Sequence, residues 1–387
     1  MDNQKIKILQ VITLSSWGGA PQVVYELASG LPSEKYKVEI ACGTGRGIEI
    51  MERLKEKGVL VHRIPWLKRN ISPFDDLRAL FALYLLIKKN KYDIVHCHTT
   101  KAGLLGRIAA KLAGVRRIYF TAHGWSFYNK HEYGWAQPLL IFLERLAAKC
   151  SRNVICVSKR NKEDAIQKKI APESKLFLIR NGVAWKTNED RVWARNKLQA
   201  SPSEIVFGMT ARLTYPKDPL FFLKAGRELA KKYKNIKFIL IGDGPLLREC
   251  LDFVQTNKLK EHVIFFGEKS PDEARKLLFG MDIFVLISKF EGVPISIIEA
   301  MFAGLPVIAT NVGGIGEAVV NNENGFLTDC DSLDKLIEKM ELLIENPDLR
   351  RKMGEKGKEM AKTKFTLETM IQSYEKLYLS ENATPRK

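Results

Sequence analysis

Arg212 and Lys217 lie in a short polar segment that follows the apolar run Ile205–Met209. A planar guanidinium that forks onto two oxygens, beside a compact ammonium, suits a diphosphate. Taken singly, each charge reads equally well as a solvated loop residue. Further on, Glu291 and Glu299 frame a segment that leaves another apolar run and enters a helix near Pro294. Glu299 falls about one and a half turns into that helix, among Ile297, Ile298, Ala300 and Met301. A carboxylate there is costly unless it is paired or holds a ligand; it is placed to accept from vicinal hydroxyls such as a ribose diol. Glu291 precedes the helix, where the helix dipole favours a negative charge in any case.

Two features of the first half bear on the same chemistry. Ser15-Ser16-Trp17-Gly18-Gly19-Ala20-Pro21 follows the first apolar run. Paired glycines let a ligand approach the backbone, and a helix opening at Pro21 offers free N–H groups and the positive end of its dipole to a phosphate. The segment is not G-x-G-x-x-G, and a plain tight turn explains it as well. Thr121-Ala122-His123-Gly124-Trp125 ends a later run, so His123 stands at the carboxyl end of a strand. It could donate a hydrogen bond to a sugar hydroxyl or a phosphate; a lone histidine is as often structural.

The elements that must position these residues are short apolar, β-branched runs separated by helix-length stretches. Strands are expected at Ile6–Ile12, Lys37–Cys42, Ile94–His96, Arg117–Thr121 and Val154–Val157. A second series follows at Ile205–Met209, Lys237–Ile241, Val263–Phe266, Ile283–Ile287 and Pro306–Ala309. Alternation of this kind predicts an α/β protein with parallel sheets covered on both faces. Two series predict two Rossmann-like domains divided within Asn181–Ala200, with ligands beyond the carboxyl ends of the strands, in the cleft between domains. There is no solenoid repeat or low-complexity tract, and the tail beyond Asn382 reads as frayed.

Composition excludes several classes. The 387 residues are 45% hydrophobic and 27% charged, an ordinary globular mix. No apolar run approaches the roughly 20 residues of a membrane span, and no signal peptide is evident, so a cytoplasmic location is expected. The six cysteines show no C-x-x-C spacing, which argues against a zinc site or redox pair and for buried neutral thiols. Net charge is +18, and it is uneven: residues 1–183 hold 31 Lys/Arg against 15 Asp/Glu, the remainder 31 against 29. The basic half suggests an anionic partner, or a solubilising surface and nothing more.

The ordered set of motifs resembles the retaining glycosyltransferases of family 4, which have the GT-B fold. It comprises Gly18-Gly19, Thr121-Ala122-His123-Gly124, Arg-x4-Lys at Arg212 and Lys217, E-x7-E at Glu291 and Glu299, Gly313-Gly314-Ile315-Gly316-Glu317 and Asn324-Gly325. The likeness covers essentially the whole chain. The stretch from Asp93-Ile94-Val95-His96-Cys97-His98 to Gly124 further resembles members that build bacterial capsular, exopolysaccharide or O-antigen chains. One departure is Ala184 after Asn181-Gly182-Val183, where many members carry Asp.

The resemblance implies two facing Rossmann-like domains: 1–183 on the acceptor side, 184–365 binding the donor, and 366–387 with a final helix, about Leu367–Leu379, crossing back. It implies that Arg212 and Lys217 bind the donor diphosphate, with Gly18 and Gly19 nearby, and that Glu299 holds the ribose. Glu291, with Gly292 and Val293, contacts the transferred sugar, as does His123. The base lies near Gly242-Asp243-Gly244 and Gly267-Glu268-Lys269. The implied reaction moves a sugar from a nucleotide-diphosphate donor, UDP-sugar favoured, to a lipid-linked or cell-surface glycan by front-face attack. Asp329-Cys330-Asp331 is literally D-x-D but follows a further expected strand, Phe326–Thr328, and reads as a turn before a helix, so no cofactor or required metal is expected.

The basic half would then face a lipid-linked glycan or the anionic inner face of the membrane. Arg63–Lys91 mixes Trp66, Phe74, Phe81 and Tyr84 with basic residues and suits peripheral docking, although Leu77–Ile87 also reads as a helix packed on the first sheet. The alternatives are a transferase with a small soluble acceptor, and a nucleotide-sugar epimerase or binding protein. A nucleic-acid binder ranks last, for want of any such motif.

Overall fold

The computed structural model describes residues 5–13, 18–44, 49–129, 131 and 134–380. The chain divides into two units, Met1–Asn181 with Leu367–Lys387, and Gly182–Thr366. The second unit thus begins at the Asn181-Gly182 turn itself, and the last helix, Leu367–Leu379, belongs with the first unit.

The first unit is built on seven parallel strands: β1 (Ile6–Ile12), β2 (Tyr36–Gly43), β3 (Leu60–Ile64), β4 (Ile94–His98), β5 (Arg117–Ala122), β6 (Asn153–Cys156) and β7 (Leu176–Leu178), in the order β3-β2-β1-β4-β5-β6-β7. The order reverses between β1 and β4, and in open sheets of this kind a crevice opens beyond the strand ends at such a reversal. The two faces of the sheet differ. Leu9, Val11, Val95, Cys97, Ile118 and Phe120 point to one face and form the core beneath the helices Pro73–Asn90, Thr100–Leu112 and Gln137–Cys150. Gln10, His96, Tyr119 and Thr121 occupy the alternate positions, and the register sets Gln10 opposite His96, and His96 opposite Tyr119.

The second unit has six parallel strands: β8 (Ile205–Thr210), β9 (Ile236–Ile241), β10 (Val263–Phe265), β11 (Ile283–Leu286), β12 (Val307–Thr310) and β13 (Gly325–Thr328), in the order β10-β9-β8-β11-β12-β13. Its reversal falls between β8 and β11. Phe207, Phe238, Phe284 and Ile308 are fully buried, so both faces are covered, as parallel sheets require. Two strands escaped the sequence reading, β3 and β7, and β3 and β7 are the two edges of the first sheet. Among the described residues, no helix is long and apolar enough to cross a membrane.

Candidate functional site

In the second unit the residues singled out above gather at the reversal. β8 leads into the loop carrying Arg212 and Lys217, and β11 into the loop carrying Glu291. Lys289 N–H donates to Pro216 O at 2.8 Å, tying the two loops together. Lys217 forms an ion pair with Glu291, and Ser288 Oγ donates to the same carboxylate at 2.8 Å. Arg212 is exposed, and its side chain makes no hydrogen bond or ion pair within the described part of the unit. A fork-shaped cation therefore stands open beside a half-buried ammonium. Asp218 caps the helix Pro219–Lys232 by accepting from Phe221 N–H at 3.2 Å, which fixes where Lys217 leaves the backbone.

Glu291 is held from behind. Gly313 has φ +54°, and a Cβ there would come within 1.8 Å of Glu291 O, so only glycine lets these loops pack. Gly314 N–H donates to Gly292 O at 3.0 Å, and Val293 is buried. Glu299 lies on the helix Ile295–Phe302, buried, and accepts from Arg275 Nε at 2.9 Å. Arg275 Nη1 also donates to Ala184 O at 3.3 Å. The carboxylate that looked costly in an apolar stretch is thus paired, by a residue the sequence gave no reason to choose.

The loops expected near the base close the same end of the sheet. Gly242 N–H donates to Gly267 O at 2.8 Å, and Leu213 N–H donates to Asp243 O at 3.0 Å, so both loops lie against the Arg212 segment. A Cβ on Gly244 would meet Leu213 O at 2.2 Å; close packing of backbones suffices to explain a glycine at this position. Asp329 and Asp331 are each paired with a lysine, Lys335 at 2.8 Å and Lys289 at 2.7 Å. Among the described residues no group of three or more His, Cys, Asp or Glu could hold a metal ion.

In the first unit Gly18 N-caps the helix Gly19–Gly30 without a side-chain cap, and a Cβ on Gly19 would meet nothing within 4 Å. Gly18 and Gly19 are both exposed. Ser15, Ser16 and Trp17 lie outside the described residues, as does the tail beyond Asn382. At the end of β4, Thr99 has φ +63°, unusual for a β-branched residue. Its hydroxyl meets that of Thr13 at 2.9 Å, which joins the ends of β4 and β1 at the reversal.

His123 is not alone. Its Nε2 lies 3.0 Å from His98 Nδ1, and His98 Nε2 lies 2.6 Å from Gln10 Oε1. His96 bonds Tyr378 OH at 2.6 Å and Thr121 Oγ1 at 2.8 Å, and Thr121 bonds Tyr374 OH at 3.0 Å. Both tyrosines come from the last helix. Burial pushes His96 down to about 3 and His123 to about 4, and holds His98 well below the ordinary 6.5. All three are neutral imidazoles at pH 7. Two-residue alternation along Ile94-Val95-His96-Cys97-His98 was the signal that could have found this row.

Comparison with known proteins now decides the family. Residues 17–184 match the family model Glycosyltransferase Family 4, and residues 191–360 match Glycosyl transferases group 1. The chain is 33% identical over 351 residues to the UDP-Gal:alpha-D-GlcNAc-diphosphoundecaprenol alpha-1,3-galactosyltransferase of Escherichia coli, with 87% of each chain covered. The chain belongs to glycosyltransferase family 4. This glycosyltransferase is also 27% identical to the capsular polysaccharide biosynthesis glycosyltransferase CapM of Staphylococcus aureus, over 82% of this chain and 84% of that one. Its fold matches Anabaena Alr3699/HepE, solved with UDP and glucose, at TM-score 0.82 and 20% identity, with 97% of this chain and 100% of that one covered. It matches the sucrose-phosphate synthase of Thermosynechococcus elongatus at TM-score 0.84 and 18% identity, covering 97% and 99%. The fold is GT-B.

Proposed function

We propose that this glycosyltransferase moves a sugar, with retention of configuration, from a UDP-sugar to a glycan carried on a lipid diphosphate. The observation that carries the reading is the convergence of Arg212, Lys217 and Glu291 where β8 and β11 end. Breaking the sugar–phosphate bond puts charge on the departing diphosphate. Arg212 and Lys217 would hold it more strongly as departure proceeds, which lowers the barrier rather than only tightening binding. Donor phosphate would draw Lys217 from Glu291 and leave that carboxylate to the sugar. Glu291 is engaged by Lys217 and Ser288, which fits a positioning contact better than a covalent nucleophile and supports attack from the face the diphosphate leaves. Two cations facing the diphosphate make a metal unnecessary in this reading; EDTA is expected to leave transfer unchanged. The named substrates of the Escherichia coli relative support UDP as the carrier and a polyprenyl diphosphate as the acceptor's anchor.

The reading places the enzyme peripherally on the cytoplasmic face of a membrane. Two helices flanking Thr100–Leu112 expose apolar stripes: Phe74, Leu77, Phe81 and Leu85 on one, and Leu139, Phe142 and Leu146 on the other, with Trp135 just before it. Phe74 is 82% and Trp135 86% exposed. Buried residues of the first helix, Ala79, Leu83 and Ile87, point the opposite way. Apolar stripes on a basic unit suit an anionic lipid surface. Sedimentation with anionic vesicles should carry the protein down, and Phe74→Ser with Phe81→Ser should leave it in the supernatant.

The deciding assay offers UDP-, GDP- and ADP-sugars to GlcNAc-diphospho-polyprenol and to the same sugar diphosphate without its lipid. Transfer from a UDP-sugar to the lipid acceptor, weakened roughly 10- to 100-fold in Arg212→Ala, is expected. An altered nucleotide sugar released with no acceptor present would replace transfer by epimerisation, and equal rates on the short acceptor would remove the lipid.

A further inference from the structure

Glu291 lies on the loop that follows β11, and two side chains behind it fix where its carboxylate sits. Ser288 and Thr310 are both fully buried. The ladder between β11 and β12 ends with Leu286 opposite Ala309. Just past that end, the Thr310 side chain takes over from the backbone. Its hydroxyl donates to Ser288 O at 2.7 Å and accepts from Ser288 N–H at 2.9 Å. A hydroxyl has one proton to give, so this contact has a single orientation. Cys330 Sγ also donates to Ser288 O, at 3.6 Å. The residue clamped in this way gives its own hydroxyl proton to Glu291 Oε1 at 2.8 Å. Lys217 bonds that same Oε1. Oε2 has no partner among the described residues, and 12% of the Glu291 side chain stays exposed. The close approach of Gly313 to Glu291 O seats the main chain only; the carboxylate itself is held through Oε1.

We propose that Ser288, clamped by Thr310, is the positioning residue that holds Glu291 Oε1 and thereby turns Oε2 to the transferred sugar. Lys217 cannot hold the carboxylate through the reaction, because the donor diphosphate takes its ammonium. When Lys217 leaves, the Ser288 bond remains, and the carboxylate keeps its orientation instead of swinging about its outer side-chain bonds. A carboxylate fixed before the donor arrives needs no ordering during the chemical step. Ser288 and Thr310 are closed to solvent, so both act through Glu291 and not on the donor. The clamp itself stands on the second unit alone; its meaning for catalysis rests on the proposed contact between Glu291 and the sugar.

The test is a double-mutant cycle in the full chain, with Ser288→Ala, Glu291→Ala and the two together, using UDP-Gal, UDP-glucose and UDP-GlcNAc as donors. Ser288→Ala should cut kcat/KM roughly tenfold, the worth of one hydrogen bond to a charged oxygen. It should cut nothing further once Glu291→Ala is present. UDP alone lacks the sugar, so its Kd should be unchanged in Ser288→Ala. Thr310→Val keeps the shape and loses both bonds, and should repeat the loss; Thr310→Ser should restore most of the rate. A full loss from Ser288→Ala in the Glu291→Ala background would overturn the proposal, since Ser288 would then act by another route. So would a UDP Kd that weakens in step with activity, because the clamp would then be a general support of the loop. Urea unfolding of the same four proteins reads the bond without turnover. Ser288→Ala should cost less stability when Glu291→Ala is present, and equal costs would mean that the bond does not form in solution. If Glu291→Ala is slow while Ser288→Ala is not, the clamp fails and the sugar contact stands. If Glu291→Ala transfers at the wild-type rate, the sugar contact fails and takes the role of Ser288 with it.

Discussion

Acid should loosen the first unit through its buried histidines, and His96 gives the magnitude. His96 is fully buried between Thr121 and Tyr378, and burial lowers its pKa from 6.5 to about 3. The unfolded chain takes up a proton near 6.5 that the folded chain refuses until about 3. The stabilising contribution is therefore complete above 6.5 and disappears as pH falls toward 3. Between pH 7 and 5 the unfolded form gains about 1.9 kcal/mol from one such histidine, integrating proton uptake with the folded form neutral throughout. His98 shifts in the same direction, and His123 does so while being less enclosed, so the three together give a steeper loss than one alone. The assay is urea unfolding at pH 7 and pH 5 of the wild type and of His96→Gln, followed through the emission of Trp125, which is buried against Phe127 in this unit. Whatever His96→Gln costs at pH 7, it should reduce the difference between the two pH values by about 1.9 kcal/mol. An undiminished difference would refute the reasoning, since His96 would then be protonated equally in both states.

Arg212→Ala should lower kcat/KM by roughly 10- to 100-fold, the worth of one or two hydrogen bonds to a charged oxygen, with unchanged melting, and Arg212→Lys should recover only part. Glu299→Ala strands the Arg275 guanidinium in the interior and should cost about 3–5 kcal/mol of stability, read by thermal unfolding, whereas Glu299→Gln keeps an acceptor and should cost less. Gly313→Ala should reduce both stability and donor affinity, because its Cβ would press on Glu291 O at 1.8 Å; an unaltered UDP-sugar Kd would remove the idea that this turn seats Glu291.

What could be read from the sequence, and what could not, divides along a physical line. The expected strands recur within a residue or two wherever an apolar run is buried on both faces, as in Ile6–Ile12 and Ile236–Ile241. Leu60-Val61-His62-Arg63-Ile64 and Leu176-Phe177-Leu178 were missed because edge strands are half solvated and need no such run. Charged residues at strand ends were legible for a similar reason: a loop leaving a parallel strand emerges on the ligand side whatever its neighbours are.

Pairing was not legible. Lys217 meets Glu291 because β8 and β11 are neighbours, a fact of strand order that no local pattern carries. His123 shows the limit most clearly. Its residue type gives no partner, and its Nε2 is met by His98, which in turn meets Gln10, 113 positions earlier than His123 in the numbering. His96, on the same row, is closed off by Tyr378 from the far end of the chain. A buried imidazole has a single proton to place, so each partner added at one nitrogen decides the chemistry at the other. Sequence motifs can say which atoms reach the strand ends. Which partners meet them is set by the row behind, and that row exists only once β1, β4, β5 and the last helix have met.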